Sequence, residues 1–453
     1  MSVKDHHGLS LSGASPAAAE NYRAALHAYH CYAGDAPGFV AAAIEDSPGF
    51  VMAHVLKAWM NLLGGNVQMA MEGAAAFQAA KGLAANHREA GHLAALDRYL
   101  AGEIRGAARV MEDVAIAYPT DVLALQAGQT LDFLLGDSRM LRDRIGRALP
   151  AWSSGMPDYH AVLGMLAFGL EECGHYDRAE SAGREAIDLE PRNNWAQHAV
   201  AHVLEMQDRR REGVAWMLQD GAPWAHESFF AIHNWWHLAL FHLGLGEINE
   251  VYDLLDGPVF GPRSDAAFDM VDAAALLWRL HLRGLDTGGR WHALADLYAT
   301  QPRGLYAFDD THAMLALVGA GRMAEAEALI GLQAQVIEGP GDNAGFTAEV
   351  GLPVMQAVYA YGRGDYARTV DLLRTVRNRS ARFGGSHAQR DLIDLTLIAA
   401  AGEERRRQPG AGAPGRTRRG QAAGEGRVAV GGVSDHPSPS GEGQATPAAR
   451  VGR

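Results

Sequence analysis

The chain has 453 residues, 48% of them hydrophobic, and a formal net charge of −13. No window approaches the roughly 18 consecutive apolar residues of a membrane-spanning helix. Charge is uneven: residues 402–453 hold nine Arg against five acidic side chains, leaving residues 1–401 with 31 basic and 48 acidic groups, a net of −17, which is a poor match for nucleic acid or an anionic membrane.

Residues 1–20 are small and polar and are predicted to fray. They open with MSVKDHHGLSLSG, where no basic stretch precedes an apolar run, so they do not read as a secretory signal. From Asn21 to Ala401 the strong helix formers Ala, Leu, Glu, Arg and Met dominate and period-two runs of β-branched residues are absent. Pro48, Pro119, Pro150, Pro157, Pro191, Pro223 and Pro258 fall where helices would stop or start. The two cysteines, Cys31 and Cys173, are too few for a disulfide framework and suit a reducing cytoplasm. Neither sits in a C-x-x-C pair or beside a His or Cys at metal spacing, so both read as inert buried thiols. Arg209, Arg210 and Arg211 read as a solvated helix end. Residues 402–453 contain 12 Gly and 5 Pro and almost no large apolar side chain. Such a segment cannot bury enough surface to offset its ordering entropy and is predicted to be a disordered tail.

A glycine-centred break punctuates the helical part. It falls at Gly102, Gly136, Gly174, Gly246, Gly284, Gly321 and Gly364, with Asp208 in the same place, at steps of 34, 38, 34, 38, 38, 37 and 43 residues. Each break separates two helical apolar runs. A period of this length means stacked helix pairs, none of which buries its apolar face alone. The unit from His160 to Asn193 is the clearest: Gly174 and Tyr176 mark the turn, Ala167, Ala179 and Ala186 allow close helix crossing, and Pro191 closes the unit. The unit ending at Pro119 repeats this with Ala95, Gly102, Ala107 and Ala115. The prediction is an all-α, right-handed superhelical array of tetratricopeptide-like helix pairs, an α-solenoid over residues 21–401.

The segments PGFVMAH (48–54), REAGH (88–92), PTDVLAL (119–125), FGLEECGHYDRAE (168–180), WAQHAVAHVLEMQ (195–207), HNWWHLALF (233–241), VDAAALLWRL (271–280), FDDTHAMLA (308–316), GLPVMQA (351–357) and GGSHAQRD (384–391) occur in this order. Through them the chain resembles the tetratricopeptide repeat protein 38 family, over residues from about 20 to 398. That resemblance implies the repeat fold and no established reaction. After AQRDLIDLTLIAA the family pattern would continue into a further amphipathic helix, whereas this chain turns Arg-, Gly- and Pro-rich, so a last stacking or capping helix is expected to be missing.

In such repeats the first helix of each unit faces the concave groove with positions 2, 5, 9 and 12, counting the turn glycine as 15. That rule puts His198, His202 and Glu205 on one stripe of one helix, and His233 and Trp236 on the next, with Asn234 and His237 alongside. His54, Glu89, His92, Asp272, Asp309 and His312 take equivalent or adjacent places in other units. The first functional reading is a soluble cytoplasmic scaffold, without a cofactor, that holds an extended peptide or a protein partner on this polar groove. The second is a metal-dependent enzyme or metal-binding protein. Two H-x-x-x-H pairs, His198 with His202 and His233 with His237, plus Glu205 as ligand or general base, form an N4O donor set for zinc, or for iron or manganese. Histidines used only for helix packing are the third. No H-E-x-x-H, P-loop or G-x-S-x-G elbow is present. GGSHAQRD reads as a helix start capped by Ser386, in preference to an anion-binding turn.

Overall fold

The computed structural model describes residues 3–64 and 66–407. Among them the regular structure is helical throughout, apart from two isolated β-bridges. In chain order the helices are α1 (Pro16–Cys31), α2 (Ala36–Asp46), α3 (Val51–Leu62), α4 (Val67–Lys81), α5 (His87–Leu100), α6 (Ile104–Ala117), α7 (Val122–Leu134), α8 (Ser138–Ala148), α9 (Tyr159–Glu171), α10 (Tyr176–Leu189) and α11 (Asn194–Met206). They continue as α12 (Arg210–Leu218), α13 (Ala231–Leu245), α14 (Ile248–Leu254), α15 (Ala267–Leu282), α16 (Arg290–Ala299), α17 (Ala307–Gly319), α18 (Met323–Ile337), α19 (Asp342–Phe346), α20 (Leu352–Gly362), α21 (Tyr366–Val376) and α22 (His387–Arg407). None of these helices is long and apolar enough to cross a membrane.

The periodic break works as its residue types demand. Gly102, Gly136, Gly174, Asp208, Gly246, Gly284, Gly321 and Gly364 all have positive φ, between 58° and 80°. A left-handed residue ends one helix and lets the chain reverse into the next, and glycine adopts it without a Cβ penalty. Asp208 is tolerated because Asp is among the few other residues that visit this region.

The first helices of successive units pack side by side, α9 on α11, α11 on α13, α13 on α15, α15 on α17 and α17 on α20. Each also packs on its own second helix, as α9 does on α10. This is the tetratricopeptide-like solenoid. The array does not stay open, however. The unit of α5 and α6 meets the segment leading into α19: Asp342 N–H donates to Gly102 O at 3.0 Å, and Arg105 N–H to Asp342 Oδ2 at 2.8 Å. Tyr306 Oη donates to Leu134 O at 3.1 Å. The end of α1 reaches α11, where Asn194 Nδ2 donates to Cys31 O at 3.1 Å, and Ser228 Oγ donates to Tyr32 O at 2.9 Å.

Helix α22 lies against the first helices of several units. Trp278 Nε1 on α15 donates to Thr396 Oγ1 at 2.9 Å, Arg279 pairs with Asp391, and Arg390 reaches Glu172, just after α9, at 3.2 Å. The concave side therefore becomes an interior. The AQRDLIDLTLIAA helix runs to Arg407, six residues past the expected boundary at 401; the position of the further helix expected to be missing after it lies outside the described residues. Gln389 N–H donates to Ser386 Oγ at 3.4 Å while Ser386 N–H donates to Gln389 Oε1 at 3.0 Å, so the capping reading of GGSHAQRD holds. The tail expected to be disordered lies, from residue 408 onward, outside the described residues.

The N-terminal expectation needs correcting. Residues 3–15 form a tight hairpin-like turn with an isolated bridge between Lys4 and Ser10. They are pinned by Ser12 N–H to Glu89 Oε1 at 2.8 Å and by Arg88 Nη2 to Ser10 O at 3.0 Å, and Leu11 is buried in the core. Fraying was inferred from small, polar residues, but backbone hydrogen bonds to the buried side chains of Arg88 and Glu89 hold this segment.

Candidate functional site

Helices α11 and α13 are neighbouring first helices, and i, i+4 spacing puts two imidazoles on the inner face of each. All four rings meet. His198, His202, His233 and His237 can each present a nitrogen so that the four lie within 4.8 Å of one another. Their exposure is 2%, 0%, 2% and 0%. His233 Nε2 is 3.1 Å from His198 Nε2 and 3.3 Å from His237 Nε2. Aromatic rings wall the cluster: Phe168 and Trp195 against His198, Phe268 against His233, and Trp236 stacked on His233 at 5.3 Å between centroids.

Two carboxylates back the rings from behind. His233 Nδ1 lies 2.8 Å from Asp272 Oδ2 and 3.0 Å from Oδ1. A carboxylate accepts, so Nδ1 carries the proton and the lone pair of His233 is on Nε2, facing the other rings. Glu171, on α9 and fully buried, faces His202 Nδ1 at 3.4 Å, just beyond a well-formed bond. Burial raises both carboxyl groups, and the imidazoles facing them work against that rise. His198 and His237 are held well below the ordinary imidazole value, first by burial and then by the neighbouring rings. They are neutral ring nitrogens with lone pairs, the form that ligates a metal.

The hydrogen-bond account does not close without a further partner. One lone pair on His233 Nε2 faces two other Nε2 atoms and can accept only one good N–H. His198 Nδ1, His237 Nδ1, both nitrogens of His202 and both oxygens of Glu171 have no hydrogen-bond partner despite full burial. Unpaired buried polar atoms each cost on the order of 1–3 kcal/mol.

The remaining sequence candidates do not join this cluster and do not line an open groove. Glu205, one turn along α11, is half-buried beside Arg210, Asp391 and Arg279, and it is not among the groups that converge. Burial raises its carboxyl. Trp236 is a fully buried wall, and Asn234 donates to Asn194 Oδ1 at 3.2 Å. Glu89 is the capping-box residue of α5, accepting from Asn86 N–H at 2.9 Å. His92 joins a buried network in which Trp59 Nε1 donates to its Nδ1 at 3.3 Å, leaving Nε2–H for Asp121 Oδ2 at 3.0 Å. Arg88 and His92 hold the Asp121 carboxyl far below its usual range against the opposing effect of burial. His54 bonds Pro48 O at 3.0 Å, and His312 bonds Phe308 O at 2.9 Å within its own helix. Asp309 is half-buried. An extended peptide therefore cannot reach this stripe as expected. The positions do face the concave side, but closure of the array and α22 have made that side an interior.

Glu171 was missed, yet the same positional rule finds it: with Gly174 as position 15, Glu171 is position 12, the place of Glu205 in the next unit. The cysteine reading was also incomplete. His27 and Cys31 are i, i+4 on α1, and with His160 of α9 they bring ligand atoms within 4.8 Å of one another. His6, His7 and Asp158 form another group across a distance in sequence that no local pattern signals.

No protein family's sequence profile matches the chain. Among solved structures, the crystal structure of yeast Tom70 is similar over 86% of this chain and 88% of that one, at 11% identity and a TM-score of 0.43.

Proposed function

We propose that this is a metal-binding helical-repeat protein in which His198, His202, His233 and His237 hold one divalent transition ion, zinc fitting best. The observation that carries this is the convergence of four buried imidazoles from two adjacent units. Zinc–nitrogen bonds of about 2.0–2.1 Å in a tetrahedron require ligand nitrogens roughly 3.3–3.4 Å apart. The two close Nε2 separations, 3.1 and 3.3 Å, match that edge. Asp272 behind His233 and Glu171 behind His202 supply the carboxylate–histidine pairs that orient metal-bound rings and raise their basicity. Glu171, rather than Glu205, is the supporting acid.

Four imidazoles complete a tetrahedral shell, and their burial admits no substrate. A closed shell of this kind serves structure more than catalysis. The ion would clip α11 to α13 and take up the Nε2 lone pairs that face one another. The protein would thus be a tetratricopeptide-like scaffold, with protein partners on surfaces other than the histidine stripe. Its two free cysteines fit a reducing cytoplasm.

Elemental analysis after purification without chelator should give about one zinc, iron or manganese per chain. His202→Ala with His237→Ala should abolish it. A value well under one, with no thermal shift on adding any of the three ions to the chelated protein, would sink the reading.

A further inference from the structure

His6 and His7, neighbours in the N-terminal segment, both bring Nε2 to one oxygen of Asp158 at the start of α9. The distances to Asp158 Oδ2 are 2.6 Å from His6 and 3.0 Å from His7. Ligand atoms of the three residues lie within 4.8 Å of one another. The His7 and Asp158 side chains are 2% and 5% exposed, and that of His6 is 13% exposed, at the edge of a cleft of about 540 Å³ that Asp158 also lines. The group shares no residue with the four-histidine cluster.

Asp158 stands at the N-cap of α9, yet no amide of that helix bonds its carboxylate, and its φ is 60°. At Asp35, Asp121, Asp137 and Asp365 the carboxylate does cap its helix. Asp158 therefore forgoes a capping bond worth about 1 kcal/mol, in a left-handed backbone that strains any residue with a Cβ, while its carboxylate meets the two imidazoles. Burial would raise this carboxyl, but the bonds to His6 and His7 hold it well below the usual range, so it is ionised.

The protons of the two rings are free to move. Nδ1 of both His6 and His7 is buried and has no partner, so the shared carboxylate oxygen alone keeps a proton on each Nε2. His160, on the same cleft, is different. Asn193 Oδ1 accepts from Ala196 N–H at 3.0 Å, so the amide nitrogen of Asn193 donates to His160 Nδ1 at 3.1 Å and commits the proton of that ring to Nε2. His6 and His7 can each carry the proton on Nδ1 instead and turn an Nε2 lone pair toward a cation beside Asp158.

Two imidazoles and one carboxylate on a single face, with the other positions open, form a donor set for Fe(II) or Mn(II), and the imidazoles select against magnesium and calcium. Bonds of about 2.1 Å at right angles set neighbouring donors roughly 3.0 Å apart. The His7–Asp158 edge matches that, and the shorter His6–Asp158 edge opens as the ion replaces the hydrogen bond.

We propose that His6, His7 and Asp158 bind one Fe(II) or Mn(II) ion through a three-donor face, its remaining positions carrying water in the cleft. Three protein ligands hold an ion less tightly than a closed four-nitrogen shell, so this site fills on titration and is not carried through purification. The probe is MnCl2 alone, added to the chelated full chain, with free Mn(II) counted by electron paramagnetic resonance and water-proton relaxation followed in parallel. Relaxation is enhanced only by a bound ion that carries water, which a closed four-imidazole shell does not provide, so the two sites are told apart. One Mn(II) with enhanced relaxation is expected. His6→Ala, at the outermost ligand, and Asp158→Asn should each weaken it at least about tenfold at unchanged helicity by circular dichroism. Arg23→Met, on the same cleft but no donor, should not weaken it. No bound Mn(II) up to a Kd of about 1 mM, bound Mn(II) without enhanced relaxation, or enhancement that survives in both His6→Ala and Asp158→Asn overturns the proposal, and each of these leaves the four-histidine reading to its own test.

Discussion

Asp309 on α17 gives the sharpest test of how the closed interior treats charge. Burial, with a smaller contribution from the adjacent Asp310, raises its carboxyl to about 7, while Arg303 opposes the rise. In the unfolded chain an Asp titrates near 3.9. Between these values the folded state keeps a proton that the unfolded state has released. Stability from this group is therefore fully present below about pH 4 and is lost as pH rises through about 7. Three units at about 1.36 kcal/mol each give roughly 4 kcal/mol, and partial solvent access to the side chain reduces this to about 2–4 kcal/mol. Asp309→Asn keeps the shape and removes the ionisation. Urea midpoints of variant and wild type at constant ionic strength should nearly coincide at pH 4.5. They should then diverge in favour of Asn until about pH 8. His312, which burial holds down at about 4, is common to both proteins and cancels in the difference. A difference that stays flat from pH 4.5 to 8, or an Asn variant weaker at pH 8, would refute the argument.

Three further outcomes follow from particular contacts. Asp272→Asn removes the carboxylate behind His233 and should lower metal affinity about 10–100-fold in a chelator competition without loss of helicity by circular dichroism. Arg144 is fully buried and bidentate on Asp132 at 2.7 and 2.9 Å. Arg144→Met leaves a buried acid unpaired and should cost about 3–5 kcal/mol, with Arg144→Met/Asp132→Asn recovering a large part in the same denaturation series. Gly136→Ala and Gly174→Ala share the positive-φ penalty of about 1 kcal/mol. At Gly174 an added Cβ meets open space, while at Gly136 it collides with the Ala381 carbonyl across the ring closure. Gly136→Ala should therefore melt well below Gly174→Ala, and equal melting temperatures would mean that the closure contributes little.

What the sequence determined by itself is local and periodic. A left-handed turn every 34 to 43 residues is a demand on single residues, and glycine or aspartate answers it wherever it stands. The pairing of His198 with His202 and of His233 with His237 on inner helix faces follows from 3.6 residues per turn alone. Their convergence follows from stacking adjacent units. Whether that inner face is a groove or a core is not local. It depends on small rotations from one repeat to the next, which add up until Asp342 meets Gly102 and Tyr306 meets Leu134. It depends also on α22, whose Thr396, Asp391 and Arg390 find partners on units more than 100 residues away. Those contacts turn a polar stripe that would bind a peptide in an open array into a desolvated cluster of imidazoles. They also hold residues 3–15, poor in apolar side chains, against Arg88, Glu89 and Asp158. Burial is a property of the closed assembly of units, and no window of sequence shorter than the whole array encodes it.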